Sequence, residues 1–222
     1  MAGASTCNRH GSETLDGPEC LPGGAGGDRG EMTAVMECIA GTVLWANLPV
    51  PVYWLVMHTG VGYWRRHARA GYTTAIVAGW GSATVLAWFY AGRLLDAAAA
   101  SAIGKLAGVA LIAFDAWVIL QVERQLGVRR MVGQVELENG RAMKRDGMYA
   151  RVRHPRYAAM LISTLGACLI AARPAMWGMA AIWALVVGLM VRAEERELVA
   201  RFGGEYEEYR RRVPAIIPRI GG

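Results

Sequence analysis

Two short stretches carry side chains suited to holding a charged ligand: His154-Pro155 and Glu194-Glu195. Proline suits the first turn of a helix, where its missing N–H costs nothing. Pro155 therefore predicts a helix start, whose free N–H groups and positive potential attract an anion. It has two readings: a start signal flanked by headgroup-binding Arg151, Arg153 and Arg156 and an interfacial Tyr157, or an anchor for a ligand's carboxylate. Glu194 and Glu195 also have two readings. They extend a solvated helix, with Glu194 near Arg201 or Glu195 near Arg192 on neighbouring turns, or they hold a cationic ligand at a membrane edge. Asp115, between Phe114 and Trp117, lies with Glu37 and His58 inside apolar sequence. It is either a helix–helix hydrogen-bonding group or a substrate-orienting carboxylate. In neither role does it face lipid, where insertion costs roughly 2.5–3.5 kcal/mol.

The elements that position these residues are apolar blocks. Of 222 residues, 54% are hydrophobic, and they gather in runs of roughly 17 to 25, the length a helix needs to cross about 30 Å of hydrocarbon. The fold expected is all-α, a polytopic bundle of five transmembrane helices with a helical C-terminal tail. The spans are Thr33–Met57, Tyr72–Ala91, Ile103–Val122, Tyr157–Ala172 and Ala175–Val191. Pro49 and Pro51 predict a kink or break in the first. WRRHAR, Trp64–Arg69, reads as a loop, and Arg173-Pro174 as a tight turn between two short spans. Residues 1–31 are Gly-rich and polar, read as a disordered tail, with Met32 at the onset of the apolar pattern.

The net charge of +6 sits in loops beside apolar segments, where cations set orientation and meet anionic headgroups. This argues for a bilayer rather than nucleic acid as the partner. Cys7, Cys20, Cys38 and Cys168 have neither disulfide-framework nor metal-site spacing, so no metal is expected. Cations cluster at 65–69, at 124–156 and in the tail after residue 191. Five spans with the N-terminus outside and the C-terminus in the cytosol satisfy this asymmetry. The last two spans form a hairpin, so the start of one and the end of the other must be neighbours. His154 and Glu194–Glu195 are therefore expected together at the cytosolic edge. A ligand with both cationic and anionic groups satisfies both; S-adenosylmethionine is such a molecule.

The run G-x-Y-x-x-x-R-H-P-x-Y (Gly147 to Tyr157), followed by E-E-x-x-L-x-x-x-F-G-x-E-Y-x-x-Y-x-x-x-V-P-x-x-I-P (Glu194 to Pro218), resembles the isoprenylcysteine carboxyl methyltransferase family. That integral-membrane group also contains phospholipid N-methyltransferases. The resemblance covers about the last 90 residues and implies a methyltransferase domain over 32–222 with its cofactor half at 130–222. It implies S-adenosylmethionine enclosed on the cytosolic side and a lipophilic or small acceptor. Carried over by position, cofactor contacts fall on Tyr149, His154, Pro155, Arg156, Tyr157, Glu194 and the adjoining Glu195. Gln134 takes the place of a family glutamine, and Arg141, Ala142, Met143 and Lys144 that of a cofactor-wrapping strand. Two positions depart: Ala159 stands where many relatives have glycine, and Met190 where eukaryotic carboxyl methyltransferases place a substrate-linked arginine. The nearest arginine, Arg192, is the expected substrate-side cation, with Asp115 the second catalytic candidate. The rival expectations are an NADPH-dependent membrane reductase of the sterol C14 type and a non-enzymatic membrane subunit with a degenerate site.

Overall fold

The computed structural model describes residues 25–59, 61–126 and 143–219, and these are helical or irregular, with no strand. Eight α-helices are described: α1 (Ala25–Asn47), α2 (Pro49–Thr59), α3 (Val61–Arg66), α4 (Ala68–Leu94), α5 (Ala102–Leu126), α6 (Pro155–Ala171), α7 (Pro174–Phe202) and α8 (Gly204–Arg212). A 3-10 turn, Gly147–Ala150, precedes α6. Among the described residues three runs are long and apolar enough to cross a membrane: Gly30–Leu55, Ala102–Gln125 and Pro174–Phe202. Thr74–Tyr90 and Pro155–Ala171 are shorter apolar helices.

The local rules explain the boundaries. Pro49 and Pro51 supply no N–H to the preceding turn, and the helix breaks at Leu48 between α1 and α2. Leu48 still donates to the Leu44 carbonyl at 2.9 Å, so the break bends the run without severing it. Ser101 caps α5, its hydroxyl accepting from the Gly104 N–H at 3.0 Å. Pro155 and Pro174 open α6 and α7 in their first turns.

Four expectations need correction. Residues 25–31 are not an irregular tail but the first turns of α1, because a nucleated helix gains a hydrogen bond with each added residue. The WRRHAR stretch is not a loop; α3 and α4 are separated by a bend at His67 alone, whose ring stacks on Tyr63 at 4.4 Å. The span expected over Ala175–Val191 is part of a 29-residue helix. At 1.5 Å per residue that is about 43 Å, longer than the roughly 30 Å hydrocarbon core. Charge ended the apolar block there but not the helix. The cation-bearing stretch at 124–156, expected as loop, begins inside the last turn of α5, which runs through Leu126.

α5 and α6 form the most closely packed pair. A methyl group at Gly108 would fall 2.6 Å from the Gly166 carbonyl oxygen, and one at Gly166 equally near that of Gly108. Small residues let helix backbones touch in this way. The pair runs antiparallel, with Gly108 beside Gly166, Val118 and Val122 packed with Ala159, and Gln125 against the 3-10 turn. α2, α6 and α7 meet over Tyr53, Trp54, Tyr157, Met160, Trp183 and Met190. The α6–α7 turn is tight, as expected: Ala172 takes a left-handed conformation at φ 51° and Arg173 precedes Pro174. Trp88, Phe89, Ile103 and Leu185 are among the apolar side chains left on the outer surface.

Candidate active site

The hairpin of α6 and α7 brings the two motifs together. His154 is the residue before α6, and its buried ring sits between two carboxylates of α7. Its Nε2 lies 3.2 Å from Glu195 Oε1 and its Nδ1 3.6 Å from Glu194 Oε2. Arg153 Nη1 lies 2.7 Å from the same Glu195 oxygen. The i, i+7 and i, i+3 pairings on α7 are thus not the arrangement that holds these glutamates; they reach across to α6. The Tyr157 hydroxyl is within hydrogen-bonding reach of Glu194.

The segment after α8 completes this end. The backbone N–H of Arg153 donates to the Pro214 carbonyl and that of His154 to the Ala215 carbonyl, both at 2.9 Å. The chain turns back at Gly203, whose φ of 56° is easy only for glycine. The Tyr209 hydroxyl donates to the Tyr149 carbonyl at 2.6 Å, and Arg145 pairs with Glu205. Burial pushes the Tyr209 phenol up to about 12, so it remains a donor at neutral pH. Burial likewise raises Tyr206, with Glu195 and Glu194 adding to it. Hydrogen bonding from Lys144, 3.0 Å away, holds Asp146 below the usual carboxylate range.

Several buried polar atoms here have no hydrogen-bond partner: Glu194 Oε2, Arg153 Nε and the Tyr206 hydroxyl. The Arg153 Nη1 contact is an ion pair in distance but lacks hydrogen-bond angles. Buried polar atoms are normally satisfied, so such a group of exceptions needs an explanation. The set mixes an acceptor with donors, as a ligand bearing both charges requires.

The expected site residues divide into groups. Tyr149, His154, Pro155, Tyr157, Glu194 and Glu195 gather at this end, with Arg156 in the first turn of α6. Met143 packs instead beneath Tyr206 and Tyr209, and Lys144 pairs with Asp146. Gln134, Arg141 and Ala142 lie outside the described residues. Arg192 is exposed and opens, with Arg196 and Arg210, onto a groove of about 310 Å³ whose wall includes Glu195 of the cluster. Asp115 is buried deeper in the bundle, against Ser163 of α6. Tyr206 and Tyr209 fall outside the expected site residues, and Arg153 is expected only as part of the helix start, although all three stand in the two motif runs; Ser163 and Asn47 give only the faint signal of single polar residues in apolar sequence.

The family described as phospholipid methyltransferase matches residues 103–205, which hold α5, α6, α7 and the His154–Glu194–Glu195 cluster. This segment is similar to a phospholipid methyltransferase domain. The domain is similar to parts of named methyltransferases. Methanethiol S-methyltransferase 2 of Bradyrhizobium diazoefficiens is 33% identical over 82 residues, 37% of this chain and 31% of that protein. Protein-S-isoprenylcysteine O-methyltransferase of Schizosaccharomyces pombe is 37% identical over 79 residues, 34% of this chain and 32% of that protein. Methanethiol S-methyltransferase of Crocosphaera subtropica is 37% identical over 79 residues, 35% of this chain and 30% of that protein. The chain thus aligns with about a third of the length of each relative. No solved structure matches it.

Proposed function

We propose that the protein is an S-adenosylmethionine-dependent integral-membrane methyltransferase acting on a lipophilic or small acceptor. The observation that carries this reading is the group of unpartnered buried atoms around His154 and Glu194, inside the segment of phospholipid methyltransferase type. The donor set fits the cofactor. Glu194 Oε2 offers an acceptor for an ammonium or sulfonium charge, and Arg153 with the first N–H groups of α6 offers donors for a carboxylate. When bound, the cofactor supplies an electrophilic methyl group. The protein's own part is positioning and exclusion of water. His154 is held between two carboxylates, Tyr157 braces Glu194, and Met190, one turn deeper than Glu194, is fully buried in an apolar wall.

The bundle crosses the bilayer five times in this proposal, with Thr74–Tyr90 and Pro155–Ala171 as the two shorter crossings. Its N-terminus is outside and the His154 end faces the cytosol, supported by the cations at Arg65, Arg66, Arg145, Arg151 and Arg153. The relatives' names extend from S-methylation of methanethiol to O-methylation of protein S-isoprenylcysteine.

Calorimetry of S-adenosylhomocysteine binding to the detergent-solubilised chain tests the reading. The wild type binds, and Glu194→Ala and His154→Ala weaken binding. Undiminished binding in both variants would sink the site assignment. Thermal stabilisation by NADPH instead would replace the methyltransferase with a reductase.

A further inference from the structure

A second polar station lies inside the apolar body of the bundle. Asp115 of α5 is only 7% exposed, Ser163 of α6 is 0% exposed, and Asn47 at the end of α1 is 7% exposed. The Asn47 side-chain amide donates to Ser163 Oγ at 3.0 Å. That leaves the Ser163 proton for the carboxylate of Asp115, within hydrogen-bonding reach, or for the Met160 carbonyl at 3.2 Å. One hydroxyl has one proton, so Ser163 can donate at most once to Asp115. Asp115 Oδ1 is buried with no hydrogen-bond partner. α1 and α6 are joined through Ser163 beside Asp115 of α5, and the Oδ1 oxygen is left free to accept.

The depth of the station is set by the helices. Ser163 lies nine residues beyond His154 on α6, about 13 Å at 1.5 Å per residue. Asp115 lies ten residues before Gln125, which packs against the 3-10 turn beside Tyr149, so α5 gives about 15 Å. Both place it near the middle of a hydrocarbon core of about 30 Å, where an ionisable side chain is expensive and marks a pathway or binding position. On α7 the face below Glu194 is apolar at Met190 and Val187, and at Trp183 it carries a buried indole N–H with no hydrogen-bond partner.

We propose that Asp115 Oδ1 receives the proton-bearing head of the methyl acceptor, and that the acceptor is therefore a neutral X–H group such as a thiol or hydroxyl rather than a carboxylate. A carboxylate acceptor would bring a second negative oxygen against Asp115, and it has no hydrogen to donate. Among the described residues, the one cation whose field reaches Asp115 is Arg156 in the first turn of α6, already set against that carboxylate, and Met190 adds none on the facing helix. Asn47 is a positioning residue: its hydrogen bond turns the Ser163 hydroxyl and so the second oxygen of Asp115.

This inference rests on the methyltransferase reading, and the experiment separates them. The full chain in nanodiscs is titrated with 1-octanethiol, with methyl octyl sulfide, which lacks the S–H, and with octanoate, empty nanodiscs being subtracted. S-adenosylhomocysteine binding is measured on the same samples. The wild type should bind octanethiol about tenfold more tightly than either comparison ligand, the scale of one hydrogen bond to a charged group. Asp115→Asn and Asp115→Leu should reduce that preference to within about twofold while leaving S-adenosylhomocysteine affinity unchanged. The infrared carboxyl band that shifts on octanethiol addition should be missing from both variants. No preference in the wild type, or a preference that survives both substitutions, overturns the inference alone. A wild type that fails to bind S-adenosylhomocysteine overturns the methyltransferase reading and the acceptor role with it.

Discussion

The two ends of the α6–α7 hairpin are built from similar residues and used differently. At the turn end, Arg173 pairs with Asp96 at 3.0 Å, the Asp96 N–H donates to the Ala171 carbonyl at 3.1 Å, and Glu37 accepts from the Ala97 N–H at 3.1 Å. Those charges bind chain to chain, with Arg173 Nε left over. At the His154 end, the charges converge on one another yet leave Glu194 Oε2, Arg153 Nε and the Tyr206 hydroxyl unsatisfied. A carboxylate tied to protein donors is a fastener, and one held in place but left incomplete is prepared for a ligand. Unsatisfied buried groups cost about 1–3 kcal/mol each, a cost that folding alone gives no reason to retain.

That contrast can be broken from either end. The largest effect should come from Gly166→Leu, which drives a side chain into the Gly108 carbonyl oxygen. The loss should be about 3 kcal/mol or more, seen as loss of the monodisperse peak on size exclusion in detergent. Next, Glu194→Ala should weaken S-adenosylhomocysteine binding about 100-fold with the melting temperature unchanged or raised, since an incompletely paired buried carboxylate is removed. Arg173→Ala should do the reverse. Because its pair with Asp96 is part-exposed, stability should fall by about 0.5–1 kcal/mol, lowering the melting temperature with no change in cofactor affinity. If Arg173→Ala altered binding and Glu194→Ala altered only melting, the contrast would be void.

The smallest effect concerns the tail. Tyr209→Phe removes the hydrogen bond to the Tyr149 carbonyl, worth about 1 kcal/mol, and should weaken cofactor binding a few-fold. The Tyr209 phenol is raised to about 12 from 10.0. The folded state therefore holds the proton more tightly, and its contribution is complete below pH 10 and lost as pH rises through 12. Urea unfolding of the wild type should show this decline, reduced in Tyr209→Phe.

How much of this was legible depends on what each feature needs. The meeting of His154 with Glu194 and Glu195 required only a hairpin, and a hairpin is readable from two apolar blocks and Arg173-Pro174. The break near Pro49 required only missing N–H groups. The Asn47–Ser163–Asp115 station required the rotation of three helices about their axes, and uniformly apolar helices carry no stripe from which rotation can be read. One clue was present: Gly104 and Gly108 have the spacing of a close helix contact, and both face α6. The extent of α7 was missed because hydropathy reports the solvent around a helix rather than its backbone, and Arg192 to Phe202 changes the first without changing the second.

The hydrogen bonds from Arg153 and His154 to Pro214 and Ala215 set an order of events during synthesis. In the proposed five-crossing arrangement, α6 and α7 would enter the bilayer while the ribosome is still translating the segment after Phe202. The backbone of residues 153 and 154 gains its acceptors only once the chain has passed residue 215 and folded back at Gly203. A nascent chain would be anchored in the membrane before this end is closed. Binding competence would then arrive only once residues 214 and 215 are in place, and an insertion between Gly203 and Pro214 would disturb the closing clasp more than one in the α6–α7 turn.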